Sequence, residues 1–230
     1  MLAVAQIFSG RVYALKSVRL FYTKKGRMRF VSHLDMTRFA ARIIKKAGLP
    51  IWYTEGFNPH PYITFALPLS LGFESDYEIM DIRLTDDDYP IDTLCDRLNT
   101  VSPEYIRFFD AKEPQKKVGT ITAAEFYIEF DDGGALAPIL SDFLKRESIP
   151  CLKKTKKGGE KEIDLAPKII KHEVSTDKNT HLLVTLPAGG GENLNPELLL
   201  GAFFEQSGSD YYCYQVNRTV VLDDQMSLLK

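Results

Sequence analysis

Between Val18 and Phe109 the apolar residues change period in a fixed order, and that order leaves few folds open. Val18 to Tyr22 predicts a strand, and Met28 to Val31 predicts its hairpin partner, or its continuation past a bulge, across Thr23-Lys24-Lys25-Gly26-Arg27. Ser32, with Asp35 three residues on, is a capping-box-like start for a helix whose apolar stripe is Met36, Phe39, Ala40, Ile43, Ile44 and Ala47. Gly48 and Pro50 end it. Ile51 to Tyr53, Tyr62 to Ala66 and Tyr77 to Leu84 read as strands, Pro90 to Leu98 as a second helix and Tyr105 to Phe109 as a closing strand. The resulting order is β-α-β-β-α-β, the split βαβ or ferredoxin-like unit, in which two helices cover one face of an antiparallel sheet.

The second half repeats the order without clear residue-level similarity. Glu113 to Thr120 is a polar linker, Ala124 to Phe130 a strand, and Leu136 to Arg146 a helix that follows Gly133-Gly134. Cys151 to Thr155 and Ile163 to Leu165 flank a lysine- and glycine-rich turn, and Ile169 to Val174 and His181 to Leu186 continue the strands. Asn195-Pro196 starts a helix with Leu198, Leu199, Ala202 and Phe203 inward, and the strand region Tyr211 to Leu222 closes the chain. The expectation is an α+β protein of two tandem ferredoxin-like lobes, 16–113 and 121–226, preceded by a loosely attached extension, 1–15. A chain of 230 residues suits two small cores as well as one large one.

Composition excludes more than it selects. Hydrophobic residues at 44% and charged residues at 26% rule out a disordered chain. No segment reaches the roughly 18 apolar residues a membrane span needs, and the start lacks the basic region of a signal peptide, so a cytoplasmic protein with no membrane partner is expected. Cys95, Cys151 and Cys213 stand more than fifty residues apart, unlike metal or redox pairs, and read as reduced thiols.

Charge is informative only where it clusters, because the net charge is -2. From Lys16 to Lys46 ten basic residues face the single acid Asp35. Arg38, Arg42, Lys45 and Lys46 share the helix face away from the apolar stripe, and Lys24, Lys25 and Arg27 crown the hairpin before it, with Arg29 a further candidate cation. Lys153, Lys154, Lys156, Lys157 and Lys161 form a second basic turn. With Phe21, Tyr22, Phe30 and Tyr53 nearby, these cations suit RNA phosphates and splayed bases. The opposing reading is a solvated face balanced by the acidic stretch from Glu74 to Asp92.

The second unusual segment is Gly56-Phe57-Asn58-Pro59-His60-Pro61, which two prolines stiffen. Asn58 and His60 could bind or polarise a ligand, with Glu55 beside them and His33 brought near from the first helical turn. There the helix dipole favours a neutral imidazole, fit for a base or a ligand. Alternatively Asn58 and His60 serve the turn itself. His33, Asp35 and His60 match no metal signature, and neither Lys156-Lys157-Gly158-Gly159 nor Gly189-Gly190-Gly191 has the spacing of a phosphate or dinucleotide loop. No metal and no cofactor is expected.

The runs Arg29-Phe30-Val31-Ser32-His33-Leu34-Asp35, Ala47-Gly48-Leu49-Pro50, Gly56-Phe57-Asn58-Pro59-His60-Pro61 and Lys161-Glu162-Ile163-Asp164-Leu165 together resemble a bacterial family of unknown function associated with radical SAM proteins. The resemblance spans Val18 to Leu222. It implies a module fused to, or encoded beside, a cobalamin-binding radical SAM protein, with Ser32, His33, Asp35, Glu55, Gly56, Asn58 and His60 as its motif positions. This chain has no CxxxCxxC, so any radical chemistry would belong to the partner. The tandem fold is also similar to that of CRISPR repeat-processing endoribonucleases, a likeness of fold and not of function. Three readings are open: a non-catalytic module that binds tRNA or ribosomal RNA or acts as an adaptor, a metal-independent ribonuclease using His33 and His60, and a protein–protein scaffold.

Overall fold

The computed structural model describes residues 5–8, 11–154, 158–209 and 212–230. They divide into two units, Met1–Val118 with Lys230, and Gly119–Leu229.

In the first unit β1 (Ala5–Phe8) and β2 (Arg11–Ala14) pair as an antiparallel hairpin within the expected N-terminal extension. The strands β3 (Lys16–Lys24), β4 (Ile63–Phe65), β5 (Glu74–Leu84) and β6 (Ile106–Lys112) and the helices α1 (His33–Lys46) and α2 (Leu94–Val101) follow in the order β3-α1-β4-β5-α2-β6. Antiparallel pairing gives the sheet order β6-β3-β5-β4, the ferredoxin-like arrangement. Alternation explains the layers. Val18, Leu20 and Tyr22 of β3 and Met80, Ile82 and Leu84 of β5 pack with Met36, Ala40, Ile43 and Ile44 of α1 and Leu94 and Leu98 of α2. Burying a side chain of this size is worth about 1.5–3 kcal/mol, so this layer outweighs any local propensity.

The helix α1 begins as the sequence predicts. Ser32 Oγ accepts from the Asp35 N–H at 3.2 Å and donates to Asp35 Oδ2 at 2.8 Å, a cap worth about 1 kcal/mol. Gly48, at φ +67°, ends the helix in the left-handed region.

Three local expectations change. The second arm of the first hairpin is absent: Gly26–Phe30 is a 3₁₀ helix. Both edges of β3 are already taken by β5 and β6, so no slot remains for Met28–Val31. Gly26 sits at φ +52°, where an added Cβ would lie 2.5 Å from the Tyr105 ring, and its N–H donates to Glu74 Oε1 at 2.9 Å. Ile51 and Tyr53 make only isolated bridges, to Leu84 and Pro61. The second helix starts as a 3₁₀ turn, Ile91–Thr93, and continues as α2 to Val101.

On the opposite face of β3, Arg19 is fully buried. Its Nε and Nη2 donate to the two Asp81 oxygens at 2.7 and 2.8 Å, and its Nη1 donates to the Lys230 carbonyl at 3.1 Å. This pairing accounts for the charged Asp81 within β5.

The second unit has the same plan. The strands β7 (Ile121–Phe130), β8 (Pro150–Lys154), β9 (Glu160–Asp164), β10 (Lys171–Thr176), β11 (Thr180–Pro187) and β12 (Tyr214–Asp223) accompany helices α3 (Ala137–Leu144) and α4 (Pro196–Ser207). Its sheet order is β12-β7-β11-β10, with the β8–β9 hairpin inserted between α3 and β10. Asp132 locks the start of α3 to β11. Its Oδ1 accepts from the N–H groups of Gly134 (3.2 Å) and Thr180 (2.7 Å), and its Oδ2 from Leu136 N–H (2.7 Å) and Thr180 Oγ1 (2.6 Å). Burial alone would push this carboxyl up, but the four donors hold it below the usual aspartate range. Along α4 the inward residues are Pro196, Leu199, Leu200, Ala202 and Phe203; Leu198, expected inside, is only half-buried.

Two outcomes test these interactions. Asp81→Ala leaves the Arg19 guanidinium buried without its carboxylate and is expected to destabilise the protein by about 3–5 kcal/mol in urea titrations. The double change Arg19→Met with Asp81→Leu should cost much less. Because the Asp132 carboxyl is lowered in the folded state, its contribution is complete above the ordinary aspartate range and fades as the pH falls below it. Thermal melts from pH 7 downward should therefore show Asp132→Asn clearly less stable than the native chain at neutral pH, with the gap closing in acid.

Candidate nucleic-acid interface

Folding sorts the predicted cations into three fates. Lys24 lies in phase with the core residues Val18, Leu20 and Tyr22; it is 3% exposed and its Nζ donates to the Val31 carbonyl at 3.2 Å. It presents no charge to solvent. Lys25 pairs with Asp76 at 2.7 Å and more loosely with Glu74 at 3.9 Å, Arg29 with Glu74 at 3.8 Å, and Arg38 with Asp35 at 3.2 Å. Arg27, Arg42, Lys45 and Lys46 are exposed and form no ion pair among the described residues. Of these, Arg42, Lys45 and Lys46 stand on the solvent face and last turns of α1, where the helix dipole also favours positive charge.

At the other end of α1 the surface is apolar. Phe30 is 63% exposed, with the Arg29 guanidinium 4.8 Å from its ring centre, and Leu34 and Leu71 are exposed as well. The Gly72 N–H donates to the Arg29 carbonyl at 2.8 Å, which brings the Leu71 loop beside Phe30.

His33 occupies the first turn of α1 and meets Phe65 edge-on, ring centres 5.2 Å apart. It lines a small cleft together with Tyr22, Lys24, Met36, Phe65, Pro68, Leu69 and Glu78. Its volume is about 10 Å³, room for one water at most. Glu78, 4% exposed, sits opposite Tyr22 in the β3–β5 register. Sequence reasoning passes over Glu78 and takes Lys24 as a surface charge. The signal is present in both cases: a charged residue in phase with the apolar side of a strand, Lys24 after Val18, Leu20 and Tyr22, and Glu78 before Met80, Ile82 and Leu84.

The segment 54–61 closes on itself. The Thr54 N–H donates to the His60 carbonyl at 2.8 Å, and the His60 N–H donates to Thr54 Oγ1 at 3.2 Å. His60 Nδ1 lies 3.0 Å from Thr54 Oγ1 and 3.1 Å from the Asn58 carbonyl. One imidazole nitrogen therefore holds the turn, as the alternative reading has it, and Gly56, at φ +116°, supplies the bend. Glu55 and Asn58 are exposed, and Phe57 at the tip is fully exposed. Among the described residues no hydrogen bond, ion pair or ring contact joins His33 to His60, and no residue of this turn lines the His33 cleft. Ser32 and Asp35 are engaged in the cap of α1.

In the second unit Lys153 Nζ donates to the Asn193 carbonyl at 2.9 Å and Lys161 is exposed on β9; Lys156 and Lys157 lie outside the described residues. In the run Lys161-Glu162-Ile163-Asp164-Leu165, Asp164 Oδ1 accepts from the N–H groups of Ile149 (2.7 Å) and Ala166 (3.1 Å) and Leu165 is fully buried. Those two residues fix the base of the β8–β9 hairpin. Among the described residues no three His, Cys, Asp or Glu side chains are grouped to hold a metal ion, and no helix is long and apolar enough to cross a membrane.

These features define an α+β protein of two ferredoxin-like units with a cationic helix face on the first. The chain belongs to a bacterial family described as "Uncharacterized protein conserved in bacteria (DUF2344)", whose model matches residues 17–196. No curated protein matches it. Among solved structures it is similar to one described as a "putative glycine cleavage system transcriptional repressor", at 13% identity over 89% of this chain and 97% of that one, with a TM-score of 0.26. So low a score carries no argument about function.

The turn reading has a direct check. His60→Ala should speed amide exchange at Thr54 about fivefold, the factor that goes with a hydrogen bond worth about 1 kcal/mol, while exchange in β3 and β5 stays unchanged.

Proposed function

We propose that this protein is a non-catalytic RNA-binding or adaptor module that presents tRNA or ribosomal RNA to a cobalamin-binding radical SAM partner. The observation that carries the reading is the group Arg27, Arg42, Lys45 and Lys46, exposed and without acidic partners among the described residues while the cations around them are buried or paired. A cation already paired within the chain gains little from a phosphate; an unpaired one releases counterions when it meets a phosphate. Phe30, exposed and backed by Arg29, adds a ring on which an unpaired base can stack. The radical SAM partner is proposed on the strength of the motif runs alone.

The exposed trio Phe30, Leu34 and Leu71 favours a second reading, a scaffold that docks a protein through this patch. The ribonuclease reading has less behind it: His60 Nδ1 is engaged in its own turn, and among the described residues no hydrogen bond, ion pair or ring contact joins His33 to His60.

The test is fluorescence anisotropy with labelled tRNA and ribosomal RNA fragments across a salt series. The triple change Arg42→Glu, Lys45→Glu, Lys46→Glu touches only exposed side chains; placing carboxylates at the C-terminal end of α1 should cost about 1–2 kcal/mol and lower the melting temperature modestly while the chain stays folded. Affinity is expected to fall at least about tenfold, and the slope of log K against log salt to lose roughly 2, at about 0.7 per cation on single strands. Affinity unchanged by the reversal would refute the RNA reading, and a partner complex that survives nuclease but is lost in Phe30→Ala with Leu34→Ala would favour the scaffold.

A further inference from the structure

A cavity opens in the second unit. It is a groove of about 420 Å³ between α4 and the β8–β9 hairpin. One wall is Pro150, Cys151, Leu152 and Glu162; the other is Glu197, Leu198, Gly201, Ala202, Glu205 and Gln206. Gln206 Nε2 donates to the Pro150 carbonyl at 2.6 Å and ties the walls together at one end.

Three features of this groove lack an internal explanation. First, Leu152 is 60% exposed and Leu198 only half-buried although both line it, so its walls offer apolar surface to solvent. Second, Glu162 and Glu205 make no side-chain hydrogen bond or ion pair among the described residues, Glu197 likewise makes none beyond its favourable place in the first turn of α4, and no lysine or arginine is among the lining residues, Arg146 reaching only Gln206 at 3.4 Å. Third, Gly201 stands in the interior of α4, where glycine is the poorest helix former after proline. No atom lies within 4 Å of where its Cβ would be, so packing within the chain does not require a glycine there. Residues 197, 201 and 205 recur every four positions and so share one side of α4, with the two carboxylates about 12 Å apart along the axis at 1.5 Å per residue. A bare backbone between two carboxylates admits another chain to close range.

We infer that this groove docks a cationic amphipathic segment of a partner polypeptide, with its apolar side chains against Leu152, Leu198 and Ala202 and its lysines or arginines at Glu162, Glu197 and Glu205. Charge complementarity selects the sign of the occupant. The exposure of Leu152 selects a polypeptide over a small molecule, because a groove this open would leave a small ligand largely in water.

The probe is a fluorescein-labelled synthetic helix of leucine and lysine with leucines at i, i+3, i+4 and i+7, titrated into the full chain, with a leucine–glutamate helix as control. The lysine peptide is expected to bind with a Kd below about 100 µM and the glutamate peptide not to bind. Gly201→Leu fills the groove while favouring the helix, so it should weaken binding at least about tenfold with the melting temperature unchanged or raised. Glu162→Gln with Glu197→Gln and Glu205→Gln should weaken it similarly and flatten its salt dependence. Wild-type affinity retained in Gly201→Leu, or no binding to the native chain, would overturn the proposal. So would displacement of the peptide by spermidine at a lower concentration than by unlabelled peptide, which would assign the groove to a small polycation. RNA affinity should be unaffected by Gly201→Leu, which separates this groove from the cationic helix.

Discussion

Everything in the first unit depends on β3, which along Arg19–Lys24 is paired on both edges and buried on both faces from Val18 to Tyr22. β5 and β6 take its two edges, Val18, Leu20 and Tyr22 face the helices, and Arg19 and Phe21 are fully buried on the other side. A strand so enclosed must satisfy every polar group within the protein. Arg19 meets that demand with the two oxygens of Asp81 and the Lys230 carbonyl, and Lys24 meets part of it with the Val31 carbonyl. The enclosure also decides the course of the chain after β3. With no edge left to pair, the next residues turn as a 3₁₀ helix, and that turn sets Ser32 at the start of α1.

The same enclosure divides the run of cations between architecture and surface. Residues on β3 are committed before function can use them, so Arg19 and Lys24 belong to the core. Residues just past its end, Lys25 and Arg29, fall within reach of Glu74 and Asp76 at the start of β5. Further on, α1 turns one side to the sheet and the other to water, and Arg42, Lys45 and Lys46 have no acidic residue at helical spacing to pair with, whereas Arg38 has Asp35. A count of charges along the chain cannot show this sorting, because it depends on which strand edges are occupied.

The legible part of the fold was the part governed by short-range periodicity. The Ser32 cap, the α1 stripe and the order of elements in both units follow from spacing alone, since a helix or strand with one apolar side can bury it in few ways. The 3₁₀ turn at Gly26–Phe30 was hidden because Met28, Phe30 and Val31 have the composition of a strand, and only the pairing of β3 with both neighbours denies them that state. Lys24 was misplaced because in sequence it stands in a run of cations while its neighbours in space are core residues. Leu198 was placed inside α4 for a related reason: apolar residues run almost all the way round that helix, so the pattern marks no single inward side. The candidate site was legible as residue types, not as geometry. The Thr54–His60 hydrogen bonds that close the turn join residues six apart through a backbone bend at Gly56, which no period describes.

The two units share one strand order and differ most in the connection from the first helix to the second strand. In the first unit it is the proline-stiffened turn 54–61, and in the second it is the β8–β9 hairpin. In both it leads to the outermost strand of its unit's order, β4 or β10, where a longer path disturbs no central pairing. Such a connection is free to vary in a way that β3 and β7 are not, since each of those is hydrogen-bonded on both edges. Three of the four signature runs lie in these connections, Ala47–Pro50 and Gly56–Pro61 in the first and Lys161–Leu165 in the second. Within the second, Asp164 and Leu165 hold the hairpin base, while Glu162 is exposed on the groove wall. Structural need therefore accounts for part of that run and leaves Glu162 over, on the wall where Gly201 keeps the facing helix bare.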